Sequence, residues 1–92
     1  MYKFDGYAWN EKKRKDTLEI RRLDISIDGP AAMTDPQAVT TFSMQSNEER
    51  YKTVAMFNGK LHTIVHMPRN GKCRIITMRR AHKDEEEAYY AN

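Results

Sequence analysis

The chain is poor in the residues that build cross-links and cofactor cradles: it has one cysteine, four glycines and three prolines in 92 residues. The lone Cys73 cannot form an internal disulfide, and a zinc site normally needs several sulfur or imidazole ligands at set spacing. The three histidines do not supply one. His62 and His66 are four apart, a helical spacing, in a stretch that reads as a strand, where same-face neighbours are two apart. There is no glycine-rich phosphate loop, no nucleophile elbow and no pair of carboxylates at a useful spacing, so no cofactor or metal is expected. No apolar run approaches the ~18 residues of a membrane span. The opening Met-Tyr-Lys-Phe-Asp-Gly-Tyr lacks the apolar stretch of a signal peptide, and the expected location is cytoplasmic. Repeats, low-complexity tracts and domain linkers are also missing.

What is present suits one modest core. Hydrophobic residues make up 39% and charged residues 32%, with nine aromatics, which excludes a disordered chain and leads us to expect a single domain over residues 1–92. A net charge of +3 and a pI near 9.1 favour polyanionic partners such as RNA or DNA, or an acidic protein.

The charge is concentrated in one stretch. Cys73, Ile75 and Thr77 alternate with Arg74, Ile76 and Met78, the period-two pattern of a strand. Near Ala81 to Asp84 the pattern gives way to glutamates and alanine, which favour a helix whose positive end is offset by early acids. From Arg69 to Lys83 there are six basic residues and no acid, and the next four residues are all acidic. A strand end carrying Arg74, Arg79 and Arg80 reads as an anion site, because the guanidinium fork matches phosphate oxygens. Surface pairing of these arginines with Asp84 to Glu87 is the alternative.

Earlier in the chain, Trp9 to Thr17 reads as a helix with Asn10 as N-cap, Glu11 in the first turn and a basic face over Lys12 to Lys15. That face is either solvated or an RNA contact. Ile20 to Asp28 fits an extended or a short helical connection equally well. Asp28-Gly29-Pro30 marks a second, short helix over Pro30 to Thr34, closed by Asp35-Pro36. Strands follow over Ala38 to Met44, Arg50 to Phe57, Leu61 to Met67 and Lys72 to Arg79. Asn58-Gly59 and Asn70-Gly71 are type I′ hairpin signals, and two such turns predict an antiparallel meander of the last three strands.

Two-residue loops fix the expected register: Met56 opposite Leu61, Val54 opposite Thr63, Val65 opposite Ile76 and Thr63 opposite Met78. The predicted core face is then Val54, Met56, Leu61, Val65, Ile76 and Met78. The other face, with Tyr51, Thr53, His62, Ile64, His66, Ile75, Thr77 and Arg79, is the expected cleft or wet side. The chemical inventory suits RNA cleavage by internal 2′-hydroxyl attack. Arginines would stabilise the phosphorane, and His66, Glu85 or Tyr89 would move protons.

At this point a family resemblance appears. Trp9 with Lys12 and Lys13, Asp35-Pro36, Glu48-Glu49-Arg50-Tyr51, Gly59-Lys60-Leu61, Ile64-Val65, and Arg74-Ile75-Ile76-Thr77-Met78-Arg79-Arg80-Ala81 with Glu85 and Tyr89 resemble the BrnT toxins of bacterial type II toxin–antitoxin systems. The resemblance implies an α+β, RelE-like ribonuclease fold: an antiparallel four-stranded sheet, two N-terminal helices and a C-terminal helix. It further implies RNA cleavage that arrests translation, neutralisation by a BrnA-like ribbon-helix-helix antitoxin, and contact with operator DNA only through that antitoxin. The family's basic residues carry over onto Arg50, Arg74, Arg79 and Arg80, and its downstream Glu and Tyr onto Glu85 and Tyr89; His66 departs from the family pattern and is a candidate catalytic group on its chemistry only, and Trp9, Lys12, Lys13 and Lys72 are candidate RNA contacts. The resemblance departs before the second helix, where the family usually has Lys-His-Gly and this chain has Ile20-Arg21-Arg22-Leu23-Asp24, and at Thr77-Met78, which replaces the usual Ser-Ala. The alternative function is therefore a non-catalytic family member that binds an antitoxin or RNA.

Overall fold

The computed structural model describes residues 1–92 as three helices and a five-stranded mixed sheet. In chain order the elements are β1 (Tyr7–Trp9), α1 (Glu11–Arg21), α2 (Asp28–Ala32), β2 (Val39–Gln45), β3 (Glu48–Phe57), β4 (Lys60–Arg69), β5 (Lys72–Arg80) and α3 (Lys83–Ala91). The sheet order is β1-β5-β4-β3-β2. This corrects the expected four-stranded antiparallel sheet: Tyr7–Trp9 adds a fifth strand, parallel to β5, with Tyr7 opposite Cys73 and Trp9 opposite Ile75. Trp9 is therefore the end of a strand and not the start of a helix. Three residues are too few to display a period in sequence.

Local signals explain most boundaries. The Asn10 side chain accepts the Lys13 N–H at 3.1 Å and starts α1, which runs on to Arg21. The second helix begins two residues earlier than expected, and Gly29 lies inside it. A Cβ there would come within 2.6 Å of Ile75 Cδ1, so glycine allows α2 to lie close on the sheet. Asn58-Gly59 and Asn70-Gly71 both have positive φ throughout and join β3 to β4 and β4 to β5. A third turn of this kind, Ser46-Asn47, links β2 to β3 without a glycine.

Register holds as expected from Arg69 opposite Lys72 up to His66 opposite Ile75, and then a β-bulge intervenes. Val65 pairs with Thr77, Ile64 with Met78, Thr63 with Arg79 and His62 with Arg80, leaving Ile76 as the extra residue. The bulge reverses which side of the sheet each later residue faces. Met78 joins Ile75 on one face, and Arg79 is turned to the other.

The expected assignment of faces is reversed. The main core consists of Ile25, Ala32, Ala55, Ile64, Cys73, Ile75 and Met78, so the face expected to be open is the one covered by α2 and the connection leading into it. Tyr2, Phe4 and Trp9 pack against it. On the opposite face Val54, Leu61 and Thr63 are buried, with α3 beside Val54. Apolar sequence alone favoured the Val54 face. The mixed face wins because its polar groups pair with one another in the interior.

Candidate active site

At the carboxyl end of β5, on the α1 and α2 side of the sheet, lies an open basin of about 730 Å³. Four regions build it. The end of α1 brings Arg21 and Arg22, the start of α2 brings Asp28, the β3–β4 hairpin brings Phe57, Lys60 and His62, and the β5–α3 junction brings Arg79, Arg80 and His82. Four cationic side chains thus share the basin with one carboxylate, Arg79 lining its edge while its guanidinium pairs with Glu85. Arg21, Arg22, Lys60 and Arg80 have no carboxylate within ion-pair distance. The Asp28 carboxylate is otherwise engaged, accepting the Asp24 N–H at 2.8 Å. Uncompensated positive charge gathered in a concavity focuses the field on an anion.

Local structure fixes several of these groups. Asp24 ties the turn after α1, accepting Arg14 Nη1 at 3.1 Å and Ser26 Oγ at 2.6 Å. Arg21 donates to the Met78 carbonyl at 3.3 Å, joining the end of α1 to β5. Arg22 closes α1 in the left-handed region, φ 60°, with its N–H bonded to the Leu18 carbonyl. That conformation costs a non-glycine residue about 1–2 kcal/mol. His62 Nδ1 lies 2.9 Å from the Lys60 carbonyl, which can only accept, so Nδ1 carries the proton and Nε2 keeps its lone pair. Burial, with Arg80 nearby, lowers the His62 pKa below the usual imidazole value. His82 stands exposed at the N-cap of α3.

The bulge separates two arginines that are adjacent in sequence. Arg80 faces the basin beside His62, and the Arg79 guanidinium is held in a two-pronged pair with Glu85, at 2.8 and 2.9 Å. Glu85 also accepts from Thr63 Oγ1 at 2.9 Å and the His82 N–H at 2.7 Å, with Lys52 at 3.9 Å. The Arg79 bonds foremost hold its pKa at about 2. Tyr89 donates to Asp35 at 2.8 Å. Glu85 and Tyr89 therefore anchor α3.

His66 belongs to the core and not to a solvent-facing site. It has no exposed surface, Nδ1 is 2.6 Å from the Tyr2 hydroxyl, Nε2 is 2.7 Å from Thr53 Oγ1, and burial lowers its pKa to about 4. Both nitrogens are occupied and the ring is neutral, which leaves it no substrate proton to take. Arg50 and Arg74 lie elsewhere, together with Lys13, in a groove on the α3 side of the sheet near the start of β5. Trp9 donates to Glu11, Lys12 pairs with Asp16, and Lys72 pairs with Asp5, all outside the basin. Of the candidate residues, only Arg79 and Arg80 line it.

A family model described as "Ribonuclease toxin, BrnT, of type II toxin-antitoxin system" matches residues 9–85. The chain belongs to the BrnT toxin family. Among curated proteins, none matches it. Family membership makes this chain a ribonuclease toxin of a type II system, with RNA as substrate and an antitoxin as partner. The matched region runs from the last residue of β1 through β5 and contains every residue of the basin.

The sequence placed His62 on the expected cleft face of this BrnT toxin without a role, and Arg21, Arg22, Lys60 and His82 were not among the expected site residues. One signal was available, the adjacent basic pair Arg21-Arg22; that the pair closes α1 is known only from the structure. What brings that pair to β5 is the path of α1 over the sheet, which no local pattern encodes.

Proposed function

We propose that the basin holds the scissile phosphodiester of RNA and cleaves it by internal 2′-hydroxyl attack without a metal ion. The supporting observation is the convergence of four cations free of ion pairs with two imidazoles around one concavity. In this reading Arg80, Arg22 and Lys60 bind the phosphate and stabilise charge growing on its oxygens. His62 Nε2 accepts the 2′-hydroxyl proton, the 2′ oxygen bonds to phosphorus, and the bond to the 5′ oxygen breaks. His82 returns a proton to that leaving oxygen. The products are a 2′,3′-cyclic phosphate and a 5′-hydroxyl end. Phe57 on the wall offers a ring face to a base. In the cell, cleavage of transcripts would arrest translation, and a BrnA-like ribbon-helix-helix antitoxin would neutralise the toxin and carry the pair to operator DNA.

The test is cleavage of a short RNA by purified toxin with end-group analysis of the products. Arg80→Ala should lower the rate by about 10²–10³-fold and His62→Gln by about 10²–10⁴-fold, and both should relieve growth arrest on expression. Wild-type rates in both variants would refute the assignment. A second reading, binding without cleavage, is favoured by the locking of Arg79, Glu85 and His66 in internal bonds. Tight RNA binding by a chain that yields no cyclic-phosphate product under any condition would select it.

A further inference from the structure

The two faces of the sheet are covered unequally. Helix α2, the connection before it and the N-terminal segment close one face, whereas on the other α3 reaches only as far as Lys52, Val54 and Thr63. Beyond α3 that face continues uncovered through Met67, Arg74 and Ile76, with Arg50 and Arg69 beside them and Lys13 reaching in from α1. The result is a groove of about 280 Å³, distinct from the basin and on the opposite side of the sheet.

Its charges are unbalanced. Lys13, Arg69 and Arg74 have no ion-pair partner, and the one carboxylate in the groove, Glu48, already pairs with Arg50 at 3.2 Å. Arg50 Nε is the single buried side-chain nitrogen or oxygen in the protein without a hydrogen-bond partner. An unpaired buried donor is destabilising unless an acceptor arrives. The chain itself shows what this face takes. Its own acidic helix, α3, buries no residue and is held by carboxylate chemistry: Glu85 lies between Arg79 and Thr63 with Lys52 alongside.

We propose that the groove is the docking site for an acidic, partly apolar polypeptide segment, continuing the cover that α3 begins; resting on the toxin reading above, we assign that segment to the antitoxin. Carboxylates would meet Arg50, Arg69 and Arg74, and an apolar side chain would seat on Met67 and Ile76. RNA suits the groove less well. No aromatic ring lines it to stack a base and no imidazole lines it to move a proton.

The experiment uses the full chain and the purified product of the neighbouring gene that suppresses its toxicity. Binding is measured by calorimetry and RNA cleavage in parallel. Met67→Glu places a carboxylate among the groove arginines in place of the partner's, and Arg69→Glu puts a like charge opposite it. Each should weaken antitoxin binding, the pair by about 100-fold, with cleavage and melting temperature near wild type. Suppression of toxicity in cells should fail in step. Unchanged antitoxin binding would overturn the inference while leaving the nuclease reading intact. Lost cleavage with retained antitoxin binding would overturn it in favour of an RNA track. If no neighbouring product binds the wild-type chain, the inference falls, and the basin variants still judge the nuclease reading by themselves.

Discussion

Arg22 is held at a left-handed helix end, where glycine is the favoured residue, and its guanidinium faces a cationic basin; stability and function should therefore respond to its loss in opposite directions. Replacing it with glycine removes conformational strain of about 1–2 kcal/mol, partly offset by the greater freedom of glycine in the unfolded chain, about 0.4–1 kcal/mol. The net expectation for Arg22→Gly is a gain of roughly 0.5–1 kcal/mol, or about 2–8 °C in melting temperature for a domain of this size. Removing one like charge from beside Arg21 and Arg80 works in the same direction. Function should fall. A charge-assisted bond to phosphate is worth about 1.5–3 kcal/mol, so RNA binding should weaken by roughly 10- to 100-fold. The dependence of log affinity on log salt should also become shallower by about one phosphate contact. Arg22→Ala separates the two effects, since it loses the guanidinium and keeps the strain. Thermal melts with fluorescence titration of a short RNA at two salt concentrations measure both quantities. If Arg22→Gly melts lower than wild type the strain argument is wrong, and if it binds RNA as tightly with the same salt slope the phosphate contact is wrong.

His66→Ala should leave the Tyr2 and Thr53 hydroxyls without partners and open a cavity, destabilising the fold by on the order of 3 kcal/mol in urea titration. The folded fraction should keep its cleavage rate per molecule, because the ring does not reach substrate. Acid should weaken the protein in two steps. His66 has a folded pKa of about 4, below its unfolded value near 6.5, so the unfolded chain binds more protons in that interval and stability falls as pH drops from 6.5 towards 4. Glu85, held at about 2 against an unfolded value near 4.5, contributes stability that is present above pH 4.5 and lost as pH falls through 2. That contribution is on the order of 1–3 kcal/mol after allowance for solvent on the Lys52 side. Unfolding free energies of Glu85→Gln measured from pH 7 down to pH 2 should lack the lower step and retain the upper one. A wild-type profile in that variant would show that Glu85 is not the group responsible.

Local events could be read from neighbouring residues. Asn-Gly pairs demand positive φ at both turn positions, so two hairpins were legible, with the register of β3 on β4 throughout and that of β4 on β5 only as far as His66 opposite Ile75, and Asn10 announced the start of the first helix. The closing motif around Arg74 to Ala81 was enough to place the chain in its family. Which face became the core, and which arginine joined the site, was settled by long-range packing. One bulge at Ile76, carrying no composition signal, sends Arg79 to Glu85 and Arg80 to the basin. The strand Tyr7–Trp9 and the arrival of Arg21 and Arg22 at the end of β5 are likewise long-range outcomes. Alternation with a period of two identifies a strand but is indifferent to which face is buried. That choice is made by the elements that pack on it, and they come from distant parts of the chain.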